Sequence, residues 1–151
     1  MVGPQPRRRW PAYALAVLFL GYAGGKAVFA AQSRLGFPGG PPVSAAESEA
    51  YFLDPALAQW FATASGLVGA GIALATVTAW GLRAVPRWLM LVALAVMAAA
   101  VVGGAGIMAL GGFIGLGVGW RWYHGVVGLV VGALCVETVR SYVAVTKRVA
   151  V

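Results

Sequence analysis

This sequence has little acid, histidine or cysteine. Of its 151 residues only four are Asp or Glu, one is His and one is Cys. A lone cysteine excludes an intrachain disulfide and a dithiol redox pair. One histidine and one cysteine also exclude a multi-histidine or cysteine-rich metal centre within one chain, and a haem held by two histidines of that chain. We expect no cofactor and no metal. Charged residues amount to 10% of the chain and hydrophobic ones to 61%, outside the range of soluble domains. A soluble fold of this size cannot hide so much apolar surface, and a lipid bilayer is the environment that takes it.

The net charge of +7 would suggest nucleic acid if the cations formed a patch on a soluble surface. They stand instead in blocks between apolar runs. Arg7, Arg8 and Arg9 precede the first run, Arg83 and Arg87 lie between the second and third, and Lys147 and Arg148 follow the fourth. That is the pattern of cationic loops kept on the cytoplasmic side. No nucleic acid is expected as a partner.

The runs predict an all-α membrane protein, a four-transmembrane-helix bundle in one domain over residues 1–151. The helices are expected at about 11–31, 55–80, 87–112 and 120–145. Each is long enough to cross about 30 Å of hydrocarbon at about 1.5 Å per residue. Four crossings put both the N- and C-termini in the cytoplasm of a multi-pass protein of the cell (inner or plasma) membrane. Val28-Phe29-Ala30 has the small-residue pattern of a signal cleavage site, but the run is long enough to span, and an uncleaved first helix is expected.

Between the first two runs lies a long outer segment, 32–54. "GFPGGPP" cannot be regular helix, because its prolines remove donors and its glycines add freedom. "SAAESEAYFLDP" then reads as a short helix with a capping box, Ser44 paired with Glu47, lying at the outer membrane interface. Asp54-Pro55 is an N-cap followed by proline at the first helical position, a start signal for the second span. "GLRAVPR" reads as a tight cytoplasmic turn and "GFIGLGVG" as a glycine-rich outer loop.

Glycines four apart, Gly21/Gly25, Gly111/Gly115, Gly115/Gly119 and Gly128/Gly132, mark flat stripes where another backbone can approach. Packing within the bundle is the preferred use. The sharper reading is a homo-oligomer or another membrane subunit docked on one stripe.

Ionisable groups within spans are costly unless paired, hydrated or able to snorkel. Glu137 is expected to pair with Arg140 three positions on. Lys26, about 24 Å along the first helix, lies near the outer boundary. There it either snorkels to water or faces inward to hold an anionic ligand or a loop carboxylate.

"GWRWYHG", 119–125, sets Arg121, Trp122, Tyr123 and the only histidine, His124, at the start of the fourth helix. An interfacial aromatic belt explains most of it. Yet His124 falls at the outer level together with Lys26, Gln32, Arg34, Glu47, Glu49, Asp54 and Gln59. The candidate catalytic set is therefore His124 as acid or base, with Glu47, Glu49 or Asp54 to orient it. The candidate ligand-binding set is Lys26, Arg34, Gln59, Trp60, Arg121, Trp122 and Tyr123.

In "GYAGGKAVFAAQSRLGFPG" at the end of the first helix, "DPALAQW" at the start of the second and "PRW" at the start of the third, the chain resembles small four-helix integral membrane proteins of bacteria, especially actinobacteria, grouped under a domain of unknown function. The resemblance implies a fold and a membrane location and no activity.

Three functions compete. The first is an accessory or assembly subunit, or a protein that binds a lipophilic small molecule. The second is a cofactor-independent membrane enzyme, an isomerase, cyclase or hydrolase, acting at the outer mouth of the bundle. The third is a transporter. The first is preferred, because no nucleotide, flavin, metal or thiol signature is present.

Overall fold

The protein, described by a computed structural model over residues 8–115 and 119–147, is helical throughout, with no strand among those residues. Arg7, Arg148 and residues 116–118 of the glycine-rich loop lie outside the described residues. In chain order the helices are α1 (Trp10–Ala31), α2 (Ala45–Glu49), α3 (Pro55–Ala75), α4 (Ala79–Ala84), α5 (Arg87–Ile114) and α6 (Trp122–Lys147). Four of them, α1, α3, α5 and α6, are long and apolar enough to cross a membrane, with 22, 21, 28 and 26 residues. Their faces carry exposed Val17, Val68, Val96, Val102 and Leu129, the arrangement expected of helices solvated by lipid rather than water. Exposed Trp10, Trp80 and Trp88 ring one end of the bundle, and exposed Trp60 and Trp122 the other, as interfacial tryptophans do.

The helix ends follow from the residues that stand there. Asp54 accepts the Leu57 N–H at 2.9 Å and Pro55 opens α3, which satisfies one of the donors a helix start leaves over. In α2, the Ser44 hydroxyl accepts from the Glu47 N–H, and the Glu47 carboxylate accepts from the Ser44 N–H at 2.8 Å. That is the full reciprocal capping box. α1 stops in a Schellman turn: the Arg34 N–H reaches the Phe29 carbonyl and the Ser33 N–H the Ala30 carbonyl, both at 3.0 Å, with Ser33 at φ 51°. A left-handed residue at this position reverses the chain, so the segment after α1 folds back over the bundle. α5 ends at Gly115, whose φ of 70° suits glycine for the same reason.

α1 packs along α3 and α5 along α6. The two pairs meet mainly through α1 against α6, with a smaller contact of α3 on α5, so the order around the bundle is α1, α3, α5, α6. The apolar core lies toward the end that carries Trp10 and Lys147, here called the terminal end. It is built from Leu15, Ala70, Ala73, Met90, Leu94, Met97, Leu134, Cys135 and Tyr142. At the opposite, loop end, α5 and α6 approach backbone to backbone. A Cβ at Gly128 would stand 2.6 Å from the Ala105 carbonyl oxygen, and one at Gly112 would stand 2.7 Å from the Gly125 nitrogen.

The contacts differ from the four-spaced pattern. Gly128 and Gly111 are packed inside the bundle, whereas a side chain at Gly132 or Gly21 would meet open space. Gly115 and Gly119 are left-handed residues rather than members of a helical stripe. A bulky group at Gly128 would therefore disturb the fold itself before any association.

The second span is also shorter than expected. It ends at Ala75, and Gly81 to Ala84 are helical rather than a turn. Two threonines cause the break. The Thr76 hydroxyl donates to the Ala73 carbonyl at 2.6 Å, and the Thr78 hydroxyl accepts from the Gly81 N–H at 3.3 Å, so Thr78 caps a new helix. Gly81 is buried against the backbone of Ala75, where no side chain fits. Glu137 and Arg140 form no ion pair among the described residues. Arg140 is exposed, and an exposed pair of long side chains gains little from being fixed. At this end Arg87 instead donates to the Thr146 hydroxyl at 3.2 Å.

Candidate functional site

His124 occupies the third position of α6, with Arg121 at the N-cap. At that place a capping box normally uses Glu or Gln to take back the N-cap N–H. Here the imidazole does so: His124 Nδ1 accepts from the Arg121 backbone N–H at 2.9 Å. An accepting Nδ1 leaves the proton on Nε2. Nε2 lies 2.7 Å from the Gly39 carbonyl and donates to it. Both ring nitrogens of this 6% exposed side chain are thus engaged by backbone, one on its own helix and one across 85 residues of chain.

Gly39 belongs to the segment that folds back after α1. Three residues earlier the Gly36 carbonyl is held from the other helix pair: Lys26 Nζ donates to it at 2.6 Å and Gln59 Nε2 at 3.3 Å. Between these two fixed carbonyls the Phe37 ring stands 5.6 Å from Tyr22 and 5.2 Å, edge-on, from Trp120. Trp120 in turn meets the His124 ring edge-on at 4.9 Å. Lys26 Nζ lies 5.5 Å and 5.4 Å from the Tyr22 and Phe37 ring centres, within the range of a cation–π contact. Close packing completes the seat, since Gly25 lies under Pro38 and a Cβ at Gly119 would be 2.9 Å from Pro41. The segment 33–41 is a plug, pinned to both helix pairs across the loop end of the bundle.

The expected residues divide accordingly. Lys26, Gln59 and His124 come together through this plug. Lys26 faces inward, and it holds a loop carbonyl rather than a carboxylate. Arg121 contributes its backbone N–H while its side chain is exposed. Tyr123 lies beside the imidazole at 4.2 Å, and Trp122 leans on Tyr123 from an exposed position. Arg34 and Trp60 are exposed, and their side chains make none of these bonds.

None of the three carboxylates is hydrogen-bonded to His124, whose two partners are main-chain groups. Glu47 is exposed and spent on Ser44, whose backbone and hydroxyl hydrogen bonds hold its carboxyl below the usual carboxylate range. Asp54 is spent on the start of α3. Glu49 is exposed on α2. Among the described residues no three His, Cys, Asp or Glu side chains converge as a metal site would require.

Sequence reasoning missed Tyr22, Phe37, Trp120 and the carbonyls of Gly36 and Gly39. The available signal was Phe37 itself, a large aromatic set among glycines and prolines. Such a ring needs a place to pack, and the loop offers none of its own. Comparison with protein families, curated proteins and solved structures returns no match, and the resemblance drawn from the sequence gains no support there.

Proposed function

We propose that this chain is a non-catalytic accessory or assembly subunit of the cell membrane, with the plug and α2 on the outer side as its partner-facing surface. The supporting observation is the use made of His124. Both of its nitrogens are bound to backbone, and the carboxylates that would orient a catalytic imidazole are committed to helix caps or exposed. General acid–base work needs a ring nitrogen free to exchange a proton with substrate. A histidine held in this way fixes a loop.

The charge distribution supports the orientation. Arg8, Arg9, Arg83, Arg87, Arg140 and Lys147 stand toward the terminal end, whereas Glu47, Glu49 and Asp54 stand at the loop end. Lys26, Arg34 and Arg121 also stand at the loop end and Glu137 toward the other, but the excess of cations is at the terminal end, and positive-inside bias favours the cytoplasm for it. What the fixed plug offers outward is the α2 segment with exposed Glu47 and Glu49, followed by exposed Tyr51 and Phe52, whose rings meet at a tilt with centres 4.8 Å apart. The shared layout with small bacterial four-helix proteins belongs to the same proposal.

Native mass spectrometry of the protein extracted gently from its own membrane tests this reading. A complex with one defined second polypeptide is expected, retained in Arg140→Gln, an exposed position at the opposite end, and weakened in His124→Ala. Two results would overturn it: a protein with no associated polypeptide, or turnover of a lipophilic substrate abolished by His124→Ala.

A further inference from the structure

Gln59 is 4% exposed, and its amide is only half satisfied. Nε2 donates to the Gly36 carbonyl, while Oε1, also buried, has no partner in the protein. Reversing the amide does not help, since it would set Oε1 against the Gly36 oxygen, acceptor facing acceptor. The neighbouring Lys26 has the complementary surplus. Its ammonium carries three N–H bonds and uses one of them on the same Gly36 carbonyl. A buried acceptor without a donor is costly, most of all in apolar surroundings.

We propose that Lys26 and Gln59 bind one hydroxyl group, which donates its O–H to Gln59 Oε1 and accepts an N–H from Lys26. The chemistry narrows the choice. A ketone or ether oxygen accepts from Lys26 but gives Oε1 nothing. A carboxylate does the same and adds two lone-pair-bearing oxygens opposite Oε1. An ammonium group donates to Oε1 but is repelled by Lys26. A hydroxyl meets both demands, and it comes either from water or from a lipid-soluble alcohol. Lys26 is only part-buried, and its ammonium lies beside the Tyr22 and Phe37 rings, apolar surfaces that suit an alkyl chain.

This site does not depend on the assembly role, and either proposal can fail alone. The test uses the full chain in phosphatidylcholine nanodiscs with three photoreactive probes of equal length: a dodecanol, its methyl ether and a dodecanoate. The alcohol is expected to label the peptides around Lys26 and Gln59 about tenfold more than the ether, the worth of one hydrogen bond to a buried group. The preference should vanish in Gln59→Leu. The alcohol–ether comparison on the unaltered protein stands even where that variant folds poorly. Equal, weak labelling by alcohol and ether, with a water cross-peak to the isotope-labelled Gln59 amide, supports the site with water as the hydroxyl. Preference for dodecanoate, or neither probe selectivity nor a water cross-peak, overturns the proposal.

Discussion

Breaking the His124 bonds should release the plug while the helices stay assembled. The side chain makes two hydrogen bonds, to the Arg121 N–H at 2.9 Å and the Gly39 carbonyl at 2.7 Å. Each is worth about 0.5–1.5 kcal/mol net, so His124→Phe, which keeps a ring in the same packing, should cost about 1–3 kcal/mol. His124→Gln should cost about half of that, because glutamine at the third helical position can still take back the N-cap N–H. The loss falls on local opening, and hydrogen exchange reads local opening directly. The reporter is the Gly40 amide, which donates to the Phe37 carbonyl at 2.8 Å within the plug. Its exchange should quicken by about 5- to 140-fold in His124→Phe and by about 2- to 12-fold in His124→Gln, at about 1.4 kcal/mol per factor of ten. Amides in the middle of α6 should not change. Unaltered Gly40 exchange in both variants would refute the reasoning, and so would equal acceleration of Gly40 and the α6 centre, which would make His124 part of the global core.

Two further expectations use the same structure. Gly128→Ala puts a Cβ 2.6 Å from the Ala105 carbonyl oxygen and should destabilise the α5–α6 contact by about 1–3 kcal/mol in a detergent unfolding titration. Gly132→Ala, which meets nothing within 4 Å, should be neutral or stabilising by about 0.5–1 kcal/mol, and equal losses at the two sites would show the helix contact to be misassigned. The capping box of α2 should depend on pH. Because Ser44 depresses the Glu47 carboxyl, the box is complete above the ordinary carboxylate range and is lost as pH falls through the lowered value. Protection of the Ser44 amide, its exchange taken relative to an unstructured peptide at the same pH, should fall only at that acid end and become independent of pH in Glu47→Gln; protection that is already independent of pH in the unaltered protein argues against the box.

Legibility in the sequence followed the range of the interaction. The Asp54 cap and the Ser44–Glu47 box were readable because each is closed within three residues. The four spans were readable because lipid asks only for length and apolarity. The break at Thr76–Thr78 was missed, although a threonine before Ala79 is itself a start signal, because the hydropathy of the run continues through it. The candidate site was half legible. Lys26, Gln59 and His124 stood out as polar groups in apolar runs, but their partners are main-chain carbonyls, and a carbonyl has no letter in a sequence. Helix order around the bundle rests on contacts between residues far apart in the chain, and those the pattern does not encode.

The bond from His124 to Gly39 also sets an order of events. Its two ends are 85 residues apart, and the later one stands at the head of the last span. At about 5–20 residues per second of synthesis, Gly39 emerges roughly 4–17 s before its partner exists. Among the described residues, the side chains that hold a plug carbonyl before then are Lys26 and, once it has been made, Gln59, and both lie on the first helix pair. The fourth helix thus closes a seat that the first half of the chain has already prepared, which makes the pinned plug a mark of completed insertion.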